Sequence, residues 1–183
     1  MNKEKVHEYL DQQINSTSSL KENYEELEKI FNVLKNARDS GNQVFVMGNG
    51  GSASTASHFV ADLLKTSITQ ENKRFKAISL SDNIPVLLAW SNDELYDNIF
   101  SNQLENFLEK DDIVIGISGS GNSKNVIKAF EYANQLGIEV FSTPFDFESV
   151  DFLEELGVSV YKIASMDLVN IPLIRYVAKT NKT

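Results

Sequence analysis

His58 and Asp62 stand four residues apart in a stretch with helical spacing, so an imidazole and a carboxylate share one helix face. That pairing suits two chemistries: ligation of a metal such as Zn²⁺, or an acid and a base for proton transfer. An ordinary hydrogen-bonded helix histidine has the same spacing, so the pair takes its weight from its surroundings. Those surroundings are two glycine–serine loops, Met47-Gly48-Asn49-Gly50-Gly51-Ser52 and Ile117-Ser118-Gly119-Ser120-Gly121-Asn122-Ser123. Glycines such as Gly50, Gly51 and Gly119 let a backbone approach a ligand closely. N–H groups at a helix start point at an anion, and serine hydroxyls add donors. Two such loops in one short chain point to a polar, phosphorylated ligand. Asp82, in Ser79-Leu80-Ser81-Asp82-Asn83, ends a strand at the same edge. It either joins the site or caps the helix begun by Ile84-Pro85. His7 is expected at the surface and Trp90 in the core.

The elements that must position these residues alternate. The loops come after short apolar runs, Val44-Phe45-Val46 and Ile113-Val114-Ile115, and each opens into helical spacing. Candidate strands are 44–47, 75–80, 113–117, 139–141 and 158–163. Candidate helices are 53–66, 85–91, 95–108, 124–136, 148–156 and 171–180. This order specifies an α/β fold with an open parallel sheet covered on both faces, whose ligands sit beyond the carboxyl ends of the strands. Residues up to about Asp39 are helical. Leu20, Tyr24, Leu27, Ile30, Phe31 and Leu34 form one apolar stripe, and Ser19-Leu20-Lys21-Glu22 has capping-box spacing. A second helix is expected to start there after a break at 16–18, its stripe either covering the sheet or, in the favoured reading, packing on another subunit.

Composition narrows the rest. At 183 residues the chain fits one domain, since domains run ~100–200 residues. A net charge of −9 and a pI near 4.7 argue against a nucleic-acid partner, which needs clustered Lys and Arg. The absence of cysteine rules out disulfides and thiolate metal sites. No apolar run approaches the ~20 residues of a membrane helix, and the first residues lack an apolar signal region. The expected location is the cytoplasm.

The stretch Gly48-Asn49-Gly50-Gly51-Ser52-Ala53 through His58-Phe59-Val60-Ala61-Asp62-Leu63 resembles the sugar-isomerase (SIS) domain, in its phosphoheptose isomerase branch. So do Leu80-Ser81-Asp82, Asn92-Asp93 through Tyr96-Asp97, and Gly116 through Val126. The resemblance covers about residues 1–137. It implies a flavodoxin-like three-layer sandwich behind N-terminal helices (1–40), with an SIS core over 41–137, and a homo-oligomer. It also implies that Ser118, Ser120 and Ser123 hold a sugar phosphate, that Asn49, Ser52 and Asp82 line the sugar pocket, and that His58 binds zinc. Two departures stand out. The family's catalytic glutamate falls on Asp62, one methylene shorter. The glutamine and the catalytic, metal-binding histidine of its last helix fall at about Asp167 and Arg175.

Residues from about Ile138 onward resemble another family, the N-acetylneuraminate and legionaminate synthases. The similarity is carried by Phe141-Ser142-Thr143-Pro144-Phe145-Asp146, Ser149-Val150-Asp151-Phe152-Leu153, Tyr161-Lys162-Ile163-Ala164-Ser165 and Asn170-Ile171-Pro172-Leu173-Ile174. There these segments are β–α units of a TIM barrel, with Lys162 and Ser165 in the phosphoenolpyruvate and sugar site. Most of the barrel is missing, so both residues are expected to be vestigial. The chain reads as a chimera, engineered or natural, in which residues 138–183 complete the SIS sheet with two β–α units.

Three functions compete. The first is binding and aldose–ketose interconversion of sedoheptulose 7-phosphate, impaired by the substitutions, with Asp62 as base. The second is a non-catalytic phosphosugar-binding or scaffold module. The third is an engineered fold chimera without native activity.

Overall fold

Residues of the central strands alternate between two apolar clusters, the period-2 signature of a sheet covered on both faces. Val44, Val46, Ala77 and Ile113 pack with Ala37, Ala56, Val60 and Leu63 on one side. Phe45, Met47 and Val114 pack with Leu104, Val126, Ala129, Phe130 and Ala133 on the other. The computed structural model describes residues 3–19, 24–142, 150–151, 154, 160–161, 176–177 and 179–180. Helices α1 (Lys3–Ser19) and α2 (Tyr24–Ser40) lead into β1 (Gln43–Gly48), α3 (Gly51–Ala61) and β2 (Lys76–Ser79). Then come α4 (Ile84–Asp93), α5 (Ser101–Phe107), β3 (Ile113–Ile117), α6 (Lys124–Gln135), β4 (Glu139–Ser142) and β5 (Val160–Tyr161). The sheet order is β2-β1-β3-β4-β5, and every neighbouring pair is parallel. This is the α/β sandwich expected from the alternation. The segment 158–163 contributes its strand as Val160–Tyr161, at the sheet edge.

Four elements differ from the sequence expectation. Helix α1 runs through Ser16-Thr17-Ser18 without a break. Serine and threonine lower helix propensity by well under about 1 kcal/mol each, too little to stop a helix alone. The capping box at 19–22 lies largely outside the described residues. The helix expected over 53–66 leaves the α ladder at Asp62, where a π-helical turn, Asp62–Thr66, takes over. Its closing bond runs from the Ser67 N–H to the Asp62 carbonyl, five residues back, at 2.9 Å.

The helix expected over 95–108 is two pieces, a 3₁₀ turn at Tyr96–Asn98 and α5. Between them Ile99 and Phe100 sink to 2% and 1% exposure in the larger cluster. The candidate helices 148–156 and 171–180 lie mostly outside the described residues. Val150 and Val177, from those segments, are nonetheless fully buried in the cluster that holds Phe45 and Phe130.

The α2 stripe splits. Ile30, Val33, Leu34 and Ala37 cover the sheet, while Tyr24, Leu27 and Phe31 face outward, joined by exposed Tyr9, Leu10 and Ile14 of α1. His7 is exposed, and Trp90 packs partly buried against the larger cluster. Among the described residues no helix is long and apolar enough to cross a membrane.

Candidate functional site

The carboxyl ends of β1, β2 and β3 bring the two Gly/Ser loops and the Asp82 segment to one edge of the sheet. Two glycines set how closely the parts approach. A Cβ on Gly48 would lie 2.7 Å from the backbone of Ser52, so only glycine lets the chain turn from β1 into α3 there. A Cβ on Gly116 would lie 2.5 Å from the Phe130 ring and 2.6 Å from Val126, so this glycine seats α6 on β3.

Asn49 and Asn125 then tie the loops together. Asn49 Nδ2 donates to Asn125 Oδ1 at 2.9 Å, and Asn125 Nδ2 donates back to Asn49 Oδ1 at 2.8 Å. The Tyr96 hydroxyl donates to the same Asn49 Oδ1 at 2.9 Å. Asn125 is 2% exposed, and its Oδ1 also takes the Val126 N–H at 3.0 Å. A buried amide needs hydrogen-bond partners, and both the oxygen and the nitrogen of the Asn125 side chain have at least one.

The β2 end is fixed in the same way. Ser81 Oγ donates to the Gly48 carbonyl at 2.9 Å, and the Gly48 N–H donates back to Ser81 Oγ at 3.2 Å. Asp82 accepts a hydrogen bond from the Ser57 hydroxyl of α3. The cap of α4 is Asn83, whose side chain accepts from the Val86 N–H at 3.4 Å. The capping role open to Asp82 is thus filled by its neighbour, and the Asp82 carboxylate faces α3 instead.

On the second loop, Ser118 and Ser123 hydroxyls are 3.0 Å apart, and Ser120 Oγ accepts from the Asn122 N–H at 3.2 Å. Ser123 is the N-cap of α6, but its side chain makes no capping hydrogen bond. That loop therefore presents hydroxyls beside a helix start whose N–H groups carry partial positive charge. On the first loop Gly50 is the N-cap of α3, and Gly51 and Ser52 form its first residues. Gly119 lies at an exposed point of the second loop.

His58 and Asp62 do share a face: Nε2 and Oδ2 are 3.4 Å apart, with side chains 80% and 50% exposed. Thr66 donates to the other Asp62 oxygen at 2.8 Å. Two donors fall short of zinc's usual three or four protein ligands. Among the described residues no group of three or more His, Cys, Asp or Glu could hold a metal ion. These residues alone do not fit a zinc centre. Lys162 and Ser165, like Asp167 and Arg175, lie outside the described residues. A cavity of about 420 Å³ at the opposite sheet edge, beside Asn36, Asn42 and Asp112, includes none of the site residues.

Tyr96, Asn125, Ser57 and Ser81 belong to the site although residue type alone does not flag them. Asn125 carries a local signal, an amide in the first turn of a helix opened by a serine loop. Tyr96 falls in the family-like stretch Asn92 through Asp97, but nothing local signals its contact with Asn49, 47 positions away.

The SIS domain family model matches residues 8–143, about three quarters of the chain. The chain belongs to the SIS domain family. The NeuB family model also matches, over residues 120–183. The synthase-like similarity therefore begins before residue 138 and overlaps the SIS match through α6 and β4.

Among SIS relatives, a phosphoheptose isomerase of Helicobacter pylori is 42% identical over 124 residues, 68% of this chain and 64% of that protein. A probable phosphoheptose isomerase of Thermoplasma volcanium is 45% identical over 116 residues, 63% of this chain and 59% of that protein. The chain thus spans less than two thirds of the length of these relatives. A phosphoheptose isomerase from Francisella tularensis superposes with a TM-score of 0.70 at 26% identity, covering 77% of this chain and 74% of that one. The phosphoheptose isomerase from Neisseria gonorrhoeae gives 0.73 over 98% of both chains at 23% identity, a likeness of SIS fold alone.

Proposed function

We propose that this SIS domain binds a sugar phosphate of the heptose type and retains, in weakened form, the aldose–ketose chemistry of phosphoheptose isomerases. The observation that carries the reading is the Asn49–Asn125 pair, which holds a phosphate-type loop and a sugar-type loop as one site. Identity above 40% to phosphoheptose isomerases supports the substrate class. In this reading Ser118, Ser120 and Ser123 take the phosphate oxygens, and Asn49, Ser52 and Asp82 line the sugar pocket.

Isomerisation moves a proton between adjacent carbons. A base removes it from the hydroxyl-bearing carbon while the neighbouring carbonyl oxygen takes up a proton, giving an enediol. The original hydroxyl then gives up its proton and becomes the carbonyl as the former carbonyl carbon is protonated. Asp62 is the candidate base, with His58 orienting its carboxylate. Its side chain is one methylene shorter than glutamate, and proton transfer needs hydrogen-bond reach, so turnover is slowed. Arg175, in place of histidine, cannot serve as a general base near neutral pH.

The exposed apolar faces of α1 and α2 support self-association through the N-terminal helices. Isomerase assays and calorimetric titration with sedoheptulose 7-phosphate, with and without added Zn²⁺, test the reading. Binding with trace turnover supports it, and binding with no turnover favours a non-catalytic phosphosugar module. Failure to bind overturns it and leaves the fold-only chimera.

A further inference from the structure

The hydrogen-bond polarity around Asn49 is fixed from outside the residue. A backbone N–H can only donate, so the Val126 N–H identifies the Asn125 atom it meets, at 3.0 Å, as oxygen. Asn125 Nδ2 must then face Asn49, and it does so at 2.8 Å from Oδ1. The Tyr96 hydroxyl fills the other acceptor position of that oxygen at 2.9 Å. An amide oxygen has two lone pairs, and both are now used. Asn49 Nδ2 spends one hydrogen on Asn125 Oδ1 at 2.9 Å and retains a second.

We infer that Tyr96 and Asn125 are specificity-determining positioning residues that turn Asn49 into a donor-only contact. Facing the ligand, Asn49 offers an N–H and no acceptor. The group it takes is an oxygen that accepts, such as the carbonyl oxygen of an open-chain ketose phosphate. A hydroxyl at the same place keeps its own hydrogen unpaired against Asn49 and is bound less well. This inference rests on the proposed function for the ligand class. It adds which residues set the choice at the sugar end and why.

Tyr96→Phe tests it, since the ring is 54% exposed and losing its hydroxyl leaves the core intact. Three probes are titrated calorimetrically against both proteins: sedoheptulose 7-phosphate, its borohydride-reduced heptitol phosphate, and inorganic phosphate. The expected result is that the native protein prefers the ketose phosphate to the heptitol. Tyr96→Phe should narrow that preference by about three- to tenfold and leave inorganic phosphate unchanged. An unaltered preference overturns the inference, and so does equal weakening of all three probes, which marks a merely structural role. A native protein that binds inorganic phosphate but neither sugar phosphate also overturns it. A native protein that binds no probe overturns the proposed function instead. A ligand-free check is side-chain amide hydrogen exchange: Asn49 should show one protected and one fast hydrogen. Two fast hydrogens overturn the inference whatever the titrations give.

Discussion

Asn49 and Asn125, 76 positions apart in the chain, exchange two amide hydrogen bonds of 2.9 and 2.8 Å across the gap between the β1 and β3 loops. The pair converts two separate glycine–serine turns into one preorganised surface. Ligand binding then need not collect the loops, which lowers the ordering cost.

Ser120→Ala with Ser123→Ala should weaken sedoheptulose 7-phosphate binding about 10²- to 10⁴-fold, because two hydrogen bonds to a charged group contribute about 1.5–3 kcal/mol each and every ~1.4 kcal/mol is tenfold. Thermal stability should fall by no more than about 1 kcal/mol, since Ser120 is exposed and Ser123 supplies no side-chain cap, its hydroxyl meeting only that of buried Ser118. Calorimetric titration beside a melting curve reads both, and an unchanged affinity would remove the phosphate assignment.

Two glycines separate fold from function. Gly116→Ala drives a methyl into Phe130 and Val126, and overpacking of this kind costs about 1–3 kcal/mol, visible in urea unfolding. Gly119→Ala meets nothing within 4 Å, so stability should hold while phosphate affinity drops as the methyl enters the ligand's space. Equal stability of the two variants would contradict the packing account.

Isomerase turnover should lie about 10²- to 10⁴-fold below that of a family member with glutamate and histidine at these positions. Asp62→Glu combined with Arg175→His should recover part of it in a coupled assay. Robust turnover by the native sequence would show that other residues carry the proton.

Leu27→Glu with Phe31→Glu should shift the protein toward monomer in light scattering, because both side chains face outward from α2 without a partner in the core. A native protein already monomeric at micromolar concentration would defeat this expectation.

Val177→Asp should destabilise the whole domain by about 3 kcal/mol or more, since it buries a carboxylate in the cluster containing Phe45 and Phe130. Chemical denaturation should show one cooperative transition at lower urea. A transition equal to that of the native protein would mean the C-terminal segment does not share the core.

Both loops and the strand–helix order are legible in the sequence because their causes are local. Glycine at 48 and 116 answers a steric demand from near neighbours, and β-branched runs such as Ile113-Val114-Ile115 mark buried strands. The break at Ile99-Phe100 is not legible, because no glycine or proline within 95–108 marks it. The role of Tyr96 is not legible either, although the residue lies in the family-like stretch Asn92 through Asp97. Nothing near it in the chain reveals that its hydroxyl meets Asn49. Asp82 is ambiguous because Asn83 beside it is an equally good cap, and only the contact with Ser57 separates the two.

The order of the strands has a consequence for how such a chain could change. The loops proposed to grip a ligand rise from β1, β2 and β3, while β4 and β5 sit toward one rim. Replacing the chain beyond β4 alters the rim and leaves the grip in place, provided residues such as Val150 and Val177 still fill the core beneath it. Under the proposed function, recognition and turnover would then be inherited separately in this architecture. A lineage, or a designer, can trade the groups supplied from the rim and keep a ready-made pocket on which new chemistry is selected.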